Sequence, residues 1–200
     1  MHIKKDNKEM VFLKTIQILN KTKFDYWICN GTLLGIIRDS KLISWDNDID
    51  IALPETIQRD EIIEIFIESG YRLIDDGSSS DYVTLSFLDI PVDMNFFVKQ
   101  QGILKSLWRV NIDNGFRFYI IKMLLKMKLG IPKSNVFWRL EGYTAPIDFI
   151  YPLGILDYHG EKISVPNRPS DLLEHTYGAN WKVPNQDFNW RKDGENNAKG

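Results

Sequence analysis

Three aspartates at alternate positions carry the clearest chemistry in this sequence. Asp46, Asp48 and Asp50 lie in the segment SWDNDIDIAL, where Ile49 and Ile51 alternate with them. Side chains two residues apart in an extended segment share one face, so this pattern buries the isoleucines and gathers the carboxylates. Aspartate is a poor strand former, and carboxylates on one face repel each other unless a cation lies among them. The pattern therefore predicts a Mg²⁺ or Mn²⁺ site.

A further aspartate, Asp93, lies in the segment VDMNFFV, which is typical of a strand. Neighbouring strands bring their side chains to within about 5 Å of one another, close enough to share a metal. We therefore expect Asp48, Asp50 and Asp93 to be the metal ligands. Asp46 and Asp89 lie at turns, where a solvated aspartate that caps a turn is the simpler interpretation.

The segment NGTLLG, after a predicted strand, has the composition of an anion-binding turn. Gly31 and Gly35 would let a phosphate approach the backbone, and the following helix would present free N–H groups to it. Thr32 adds a hydroxyl donor, and Arg38 adds a cation with a fork of donors. The alternative is an ordinary helix start with Arg38 in a surface ion pair. The sequence has no P-loop, no Rossmann glycine motif and no nucleophile-elbow serine.

The elements that must position these residues alternate between helix and strand. Helices are predicted at 6–20, 54–70, 115–129 and 169–178, with a short helix after the glycine turn. Strands are predicted at 24–29, 48–53, 71–75, 82–88, 92–98, 149–153 and 161–166. This order predicts an α+β or mixed α/β domain over residues 1–186. The polar residues 187–200 are predicted to be a disordered tail.

Composition narrows the class of protein. The chain has 200 residues, is 44% hydrophobic and 26% charged, and has a net charge of −2, which gives no support to non-specific nucleic-acid binding. Its one cysteine, Cys29, excludes an internal disulfide and a cysteine zinc site. The N-terminal residues lack the apolar core of a secretory signal, and no apolar run is long enough to span a membrane. The cytoplasm is the expected location.

Residues 30–53, NGTLLGIIRDSKLISWDNDIDIAL, closely resemble the hallmark of the LicD/fukutin family, G-T-L-L-G, an Arg, a variable stretch and I-P-W-D-[DH]-D-[IV]-D. Ser44 replaces the proline of this hallmark, and Asn47 occupies the position where the family has Asp or His. Neither change removes a metal-ligand position. IPVDMNFFV resembles the strand that bears the family's third aspartate. EHTYGANWKVP resembles its closing Y-G-x-x-W-x-x-P element. The resemblance spans about residues 24–184.

The resemblance implies a nucleotidyltransferase-like mixed sheet flanked by helices, with a small C-terminal extension. It also implies a transferase that moves a phospho-alcohol, such as phosphocholine or ribitol phosphate, from a CDP-linked donor to a sugar or surface glycan and releases CMP. Asp48 and Asp50 would hold one or two divalent ions on the pyrophosphate. Asp93 would complete the site and act as base toward the acceptor hydroxyl.

The remaining candidates would bind substrate. Gly31, Thr32 and Arg38 would hold the departing CMP phosphate, and Gly35 belongs to the same turn. Asp46 is a further candidate on the substrate side. Tyr177 and Trp181 would stack on a base or an alditol, or would instead pin the final helix onto the sheet.

Three alternatives remain open at this point. The same ligands suit a nucleotidyltransferase that places an NMP from an NTP on a small-molecule or protein hydroxyl. A non-catalytic member of the fold is disfavoured by the intact Asp48, Asp50 and Asp93.

Residues 117–128, RFYIIKMLLKMK, are expected to form a core helix with snorkelling lysines. The alternative is peripheral contact with the inner membrane face near a lipid-linked acceptor.

Overall fold

The computed structural model describes residues 2–77, 81–111, 138–189 and 197–199. In these ranges the helices are α1 (His2–Lys21), α2 (Asn30–Asp39), α3 (Arg59–Glu68), α4 (Ile147–Ile150) and α5 (Pro169–Tyr177). The strands are β1 (Trp27–Ile28), β2 (Ile49–Pro54), β3 (Arg72–Asp75), β4 (Tyr82–Phe87), β5 (Ile90–Gln100), β6 (Ile103–Asn111), β7 (Trp138–Pro146), β8 (Gly154–Tyr158), β9 (Glu161–Val165) and β10 (Asn197–Lys199).

A mixed sheet with the strand order β1-β2-β5-β6-β7-β10 forms the centre of the fold. β2 and β5 run parallel, whereas the other described pairs, including β3–β4 and β4–β5, are antiparallel. A separate hairpin consists of β8 and β9. This architecture confirms the mixed α/β fold class expected from the sequence.

The core explains why the site forms on β2. Residues 49–53 of this strand are all buried, so both of its faces are covered, as is usual for a strand in parallel pairing. Helix α1 buries an apolar stripe that includes Val11, Phe12, Ile16 and Leu19. Asp50 therefore lies inside a packed framework whose position is set by apolar neighbours.

Several predicted elements differ in the structure. Pro54 ends β2, where a missing N–H is tolerated, and α3 begins only at Arg59. The sequence predicts a strand at 149–153, but the end of α4 and a bend occupy this segment, because a short apolar run is compatible with either element. Asn197–Lys199 of the predicted disordered tail pairs with β7.

Some predictions lie outside the described residues. These are the helix at 115–129, with its basic strip, and most of the loop at 77–80. Among the helices that the structure describes, none combines the length and hydrophobicity needed to cross a bilayer.

Candidate active site

A cleft of about 940 Å³ opens beside the start of β2. Its walls come from the N-terminus of α2, the loop 43–48, the strands β4, β5 and β7, and the residues after α5. A volume of this size is typical of a ligand-binding site. All four aspartates of the sequence analysis, Asp46, Asp48, Asp50 and Asp93, line this cleft.

The carboxylates of Asp46, Asp48 and Asp50 form one cluster. One oxygen from each lies within 4.8 Å of the others. Asp50 is buried on β2, whereas Asp46 and Asp48 are half-buried in the loop that precedes the strand. The strand begins at Ile49, one residue later than the alternating pattern predicts, yet the three side chains still converge. Asp46 belongs to the cluster and is not simply a solvated turn residue.

Asp93 lies one strand away from this cluster. It stands opposite Asp50 in the parallel pairing of β2 with β5, and opposite Thr84 in the pairing of β4 with β5. The Thr84 hydroxyl donates a hydrogen bond of 2.6 Å to Asp93 Oδ1. Thr84, which the sequence analysis missed, thereby fixes the orientation of this carboxylate.

Burial and mutual repulsion raise the pKa values of the cluster. Burial, together with a hydrogen bond to Asp48, raises the pKa of Asp46 to about 7. Burial and the charges of Asp48 and Asp46 hold the pKa of Asp50 well above its usual value. Burial raises the pKa of Asp93 to about 6, although its hydrogen bond from Thr84 acts in the opposite direction. Without a cation, this arrangement disfavours the charged carboxylates.

One buried lysine from α1 reaches the cluster. Lys8 Nζ donates hydrogen bonds to the carbonyl oxygens of Asp46 at 3.0 Å and Ile43 at 3.5 Å, and it lies 3.8 Å from Asp46 Oδ2. It makes the only ion pair that the described residues supply to the aspartate cluster. No local sequence pattern links Lys8 to residues that lie 35 and 38 positions away.

The N-terminus of α2 borders the cleft through Asn30 and Gly31. Asn30 adopts a left-handed conformation, with φ 46°, and its Nδ2 donates to Asp50 Oδ1 at 3.3 Å. A Cβ atom at Gly31 would collide with Asp46 Oδ2, so glycine here permits the close approach of that carboxylate. The sequence predicts that a phosphate approaches the backbone at Gly31, whereas in the structure a carboxylate does so; Asn30 carries no sequence signal that marks it as a site residue.

Two predicted phosphate-binding residues do not line the cleft. The Thr32 hydroxyl, which is buried, accepts a hydrogen bond of 2.8 Å from the backbone N–H of Asp50. A Cβ atom at Gly35 would lie 2.7 Å from Lys41 O and 2.9 Å from Ile43 N. Both residues therefore hold the loop and the strand that carry the aspartates against α2.

Arg38 lines the cleft but is already paired. Its Nε and Nη2 atoms donate to the two carboxylate oxygens of Asp39 at 3.0 and 2.8 Å. Its side chain is only 6% exposed. The ion pair that the sequence analysis weighed as the alternative is thus present, although the arginine is largely buried.

Aromatic residues close the cleft on the side of α5. Tyr177 and Trp181 both line it, and Trp181 is buried. The ring centroids of Tyr177 and Phe188 lie 5.0 Å apart. Tyr143 on β7 also lines the cleft and was not identified from the sequence. Burial, with the nearby Asp50 charge, raises the pKa of Tyr143 and keeps its hydroxyl protonated.

Comparison with known proteins identifies relatives of this chain. It is 26% identical over 196 residues to ribitol-5-phosphate transferase FKTN of Macaca fascicularis, a match that covers 96% of this chain and 36% of the relative. The Homo sapiens protein of the same name is 25% identical over 193 residues, which cover 94% of this chain and 36% of the relative. The chain thus spans about a third of the length of these curated relatives.

The fold is also similar to a solved structure, that of ANT(2″)-Ia in complex with adenylyl-2″-tobramycin. The superposition covers 92% of this chain and 82% of that chain, with 14% sequence identity and a TM-score of 0.48. Residues 23–168 match the family model described as LicD/FKTN/FKRP, nucleotidyltransferase domain. This match covers most of the chain and includes α2, β2 and the four aspartates. The chain therefore belongs to the LicD/FKTN/FKRP family.

Proposed function

We propose that this chain is a metal-dependent transferase domain that moves a phospho-alcohol from a CDP-linked donor to a hydroxyl group of a sugar or glycan. The observation that carries the proposal is the convergence of Asp46, Asp48 and Asp50 beside Asp93 in one cleft. Membership of the family and the names of the fukutin relatives support a phospho-alcohol as the transferred group.

The side chains present fit a divalent cation such as Mg²⁺ or Mn²⁺. They supply hard oxygen ligands, and among the described residues Lys8 makes the only ion pair with them, so much of their mutual repulsion is left for a cation to offset. Asp48 and Asp50 would hold the cation, with an Asp46 oxygen within reach. When bound, the cation would neutralise charge on the donor pyrophosphate and on the leaving oxygen.

The residues of the chain would position the acceptor and accept its proton. Because Thr84 binds Oδ1 of Asp93, Oδ2 is the atom that would take the proton of the acceptor hydroxyl. The acceptor oxygen then bonds to the distal phosphorus of the donor, the bond from that phosphorus to the bridging oxygen breaks, and CMP leaves with the electron pair. The departing phosphate would lie near the N-terminus of α2, where Asn30 and Gly31 line the cleft.

A product assay tests this proposal. Purified protein with Mg²⁺ and CDP-ribitol is followed by ³¹P NMR, with and without a panel of methyl glycosides as acceptors, and CMP is the expected nucleotide product. Asp48→Ala and Asp50→Ala should eliminate CMP release while the circular dichroism spectrum is retained. Asp157 is an exposed aspartate on the β8–β9 hairpin, so Asp157→Ala is the matched control and should not change the rate of CMP release.

Two results would contradict the proposal. CMP release that survives both Asp48→Ala and Asp50→Ala would overturn the metal assignment. Release of pyrophosphate from a nucleoside triphosphate, with no reaction of the CDP-alcohols, would identify nucleotidyl transfer instead.

A further inference from the structure

The loop between α2 and β2 depends on neighbouring elements for its position. Residues 40–48 contain no helix or strand, so no regular backbone ladder fixes them. Close contacts with α2 hold the chain at both ends of the loop, through Gly35 near its start and through the Thr32 hydroxyl where β2 begins. Between these two ends, the side chain of Lys8 reaches the loop from α1.

The ammonium group of Lys8 has three N–H donors and three oxygen atoms near it. It donates to Asp46 O at 3.0 Å and to Ile43 O at 3.5 Å, and Asp46 Oδ2 lies 3.8 Å away. The same carboxylate oxygen lies against Gly31 of α2, where a Cβ atom would collide with it. The Asp46 side chain is therefore held between two helices, and Lys8 binds both its backbone and its carboxylate.

Lys8 makes these contacts from the interior of the protein. It is only 7% exposed, and it is not among the described residues that line the cleft, whereas Asp46 is. Any effect of Lys8 on the reaction must therefore pass through the loop that it holds. The family match begins at residue 23, so this lysine also lies outside the residues that were matched to the family.

We infer that Lys8 is a positioning residue for the metal site, and that it fixes the Asp46 carboxylate where it can bind the divalent cation together with Asp48 and Asp50. This inference rests on the proposed function and deepens it, because it adds Asp46 to the metal ligands and gives α1 a role in the site. A lysine that acted only as a countercharge would have the opposite effect on metal affinity, because its positive charge repels a cation.

Titration of the protein with Mn²⁺, followed by the EPR signal of the free ion, tests this inference. Mn²⁺ takes the same oxygen ligands as Mg²⁺. Lys8→Met removes the charge and the donors while it keeps an unbranched side chain. We expect the Kd for Mn²⁺ to rise about tenfold in this variant, as is usual when a group that orients a metal ligand is lost. Lys8→Gln is measured in parallel and should weaken binding in the same direction, so the test does not depend on the folding of one variant.

Thr15→Val is the matched control for a loss of stability alone. Thr15 is fully buried on the same helix, where its hydroxyl donates to Val11 O at 2.8 Å and lies 2.9 Å from the Tyr71 hydroxyl. Its removal should destabilise the fold without changing the Kd for Mn²⁺, because these partners do not belong to the loop at 40–48.

A double-mutant cycle shows whether Lys8 acts through Asp46. Asp46→Ala alone should weaken Mn²⁺ binding. In that background Lys8→Met should cause little further loss, because the carboxylate that it positions is absent.

The outcomes separate this inference from the proposed function. Three results would overturn the inference while the proposed function stands: unchanged or tighter Mn²⁺ binding in the folded Lys8 variants, an equal loss in Thr15→Val, or an undiminished effect of Lys8→Met in the Asp46→Ala background. Failure of the wild-type protein to bind Mn²⁺ would overturn the proposed function and this inference with it.

Discussion

The cleft concentrates four acidic side chains where a packed fold ordinarily places apolar ones. Asp50 is buried on β2, and two side chains of α2 hold it: Asn30 Nδ2 donates to its carboxylate, and the Thr32 hydroxyl accepts from its backbone N–H. Charged groups in such surroundings cost stability unless they are paired or bind a cation. In the absence of a cation the aspartates should therefore lower the stability of the fold, and this cost should be measurable.

The metal-free protein should be more stable at acidic than at alkaline pH. The folded-state pKa values of Asp46 and Asp93, about 7 and about 6, exceed the unfolded value of about 3.9, and Asp50 shifts in the same direction. Between these values the folded state binds more protons than the unfolded state, so the free energy of unfolding falls as pH rises.

Thermal unfolding in EDTA, from about pH 5 to about pH 8, measures this effect. The melting temperature should decline across that range, and Asp46→Asn/Asp93→Asn should flatten the decline. A wild-type melting temperature that rises across the range would refute the linkage.

Lys8→Met should lower the free energy of unfolding by about 1–3 kcal/mol, because two carbonyl groups lose a buried donor. Lys14→Met on the same helix is the matched control. Its ammonium lies 3.8 Å from the centroid of the Phe87 ring. Loss of this contact should lower the free energy of unfolding by less than about 1 kcal/mol. Urea unfolding of both variants measures the difference. Equal decreases in the free energy of unfolding would contradict a stabilising contribution of the Lys8 hydrogen bonds.

The residues of the site differ in how well a sequence predicts them. Asp48 and Asp50 are predictable because their spacing conflicts with what a strand needs for stability. Lys8, Thr84 and Tyr143 are not, because long-range packing alone brings them to the cleft.

At the scale of elements, helix α2 determines the geometry of the site. It ends at Asp39 and is capped by Ser40, a left-handed residue with φ 54° whose N–H donates to Ile36 O, and the chain then turns back along the helix. The two glycines of α2 contact this returning chain at different points: Gly31 meets the Asp46 carboxylate, and Gly35 meets the backbone of residues 41–43.

Alanine at these two glycines should give different defects. Gly31→Ala displaces the Asp46 side chain, so we expect a loss of more than tenfold in Mg²⁺ affinity with a small change in melting temperature. Gly35→Ala pushes on backbone, so we expect a loss of stability of about 1–3 kcal/mol. Magnesium titration and thermal unfolding of both variants measure this contrast. Unchanged magnesium affinity in Gly31→Ala would contradict the described contact.

Strand pairing was easier to predict than element boundaries. The neighbouring strands of Asp50 and Asp93 followed from alternating polarity and apolar content, and the structure pairs them directly. Pro54 and the segment 149–153 were misassigned because Pro is compatible with a helix start and a strand end, and because short apolar runs carry no clear period.

At the scale of the whole molecule, residues outside the family match complete the fold and the cleft. Helix α1 precedes the match at residue 23, yet it supplies Lys8 to the site and fully buried side chains to the core. Residues 177–188 follow the match and line the cleft. The packed core and the walls of the cleft therefore extend beyond residues 23–168 at both ends.

Phe12→Ala tests the contribution of α1. Phe12 is fully buried and packs edge-to-face on Tyr158 of the β8–β9 hairpin, so its truncation should lower the free energy of unfolding by about 3–5 kcal/mol. Met10→Ala, on the exposed side of the same helix, should cost less than about 0.5 kcal/mol. Similar small losses in both variants would show that α1 is dispensable for the domain.

The most direct test of the central claim is the thermal stability of the protein with CDP-ribitol, measured with Mg²⁺ and with EDTA. A ligand at 100 times its Kd adds about 2.7 kcal/mol, or roughly 5–10 °C for a chain of this size. We predict such a shift with Mg²⁺, little shift in EDTA, and none in Asp48→Asn/Asp50→Asn. An equal shift in EDTA, or a shift that the double variant retains, would contradict a metal-dependent donor site at these aspartates.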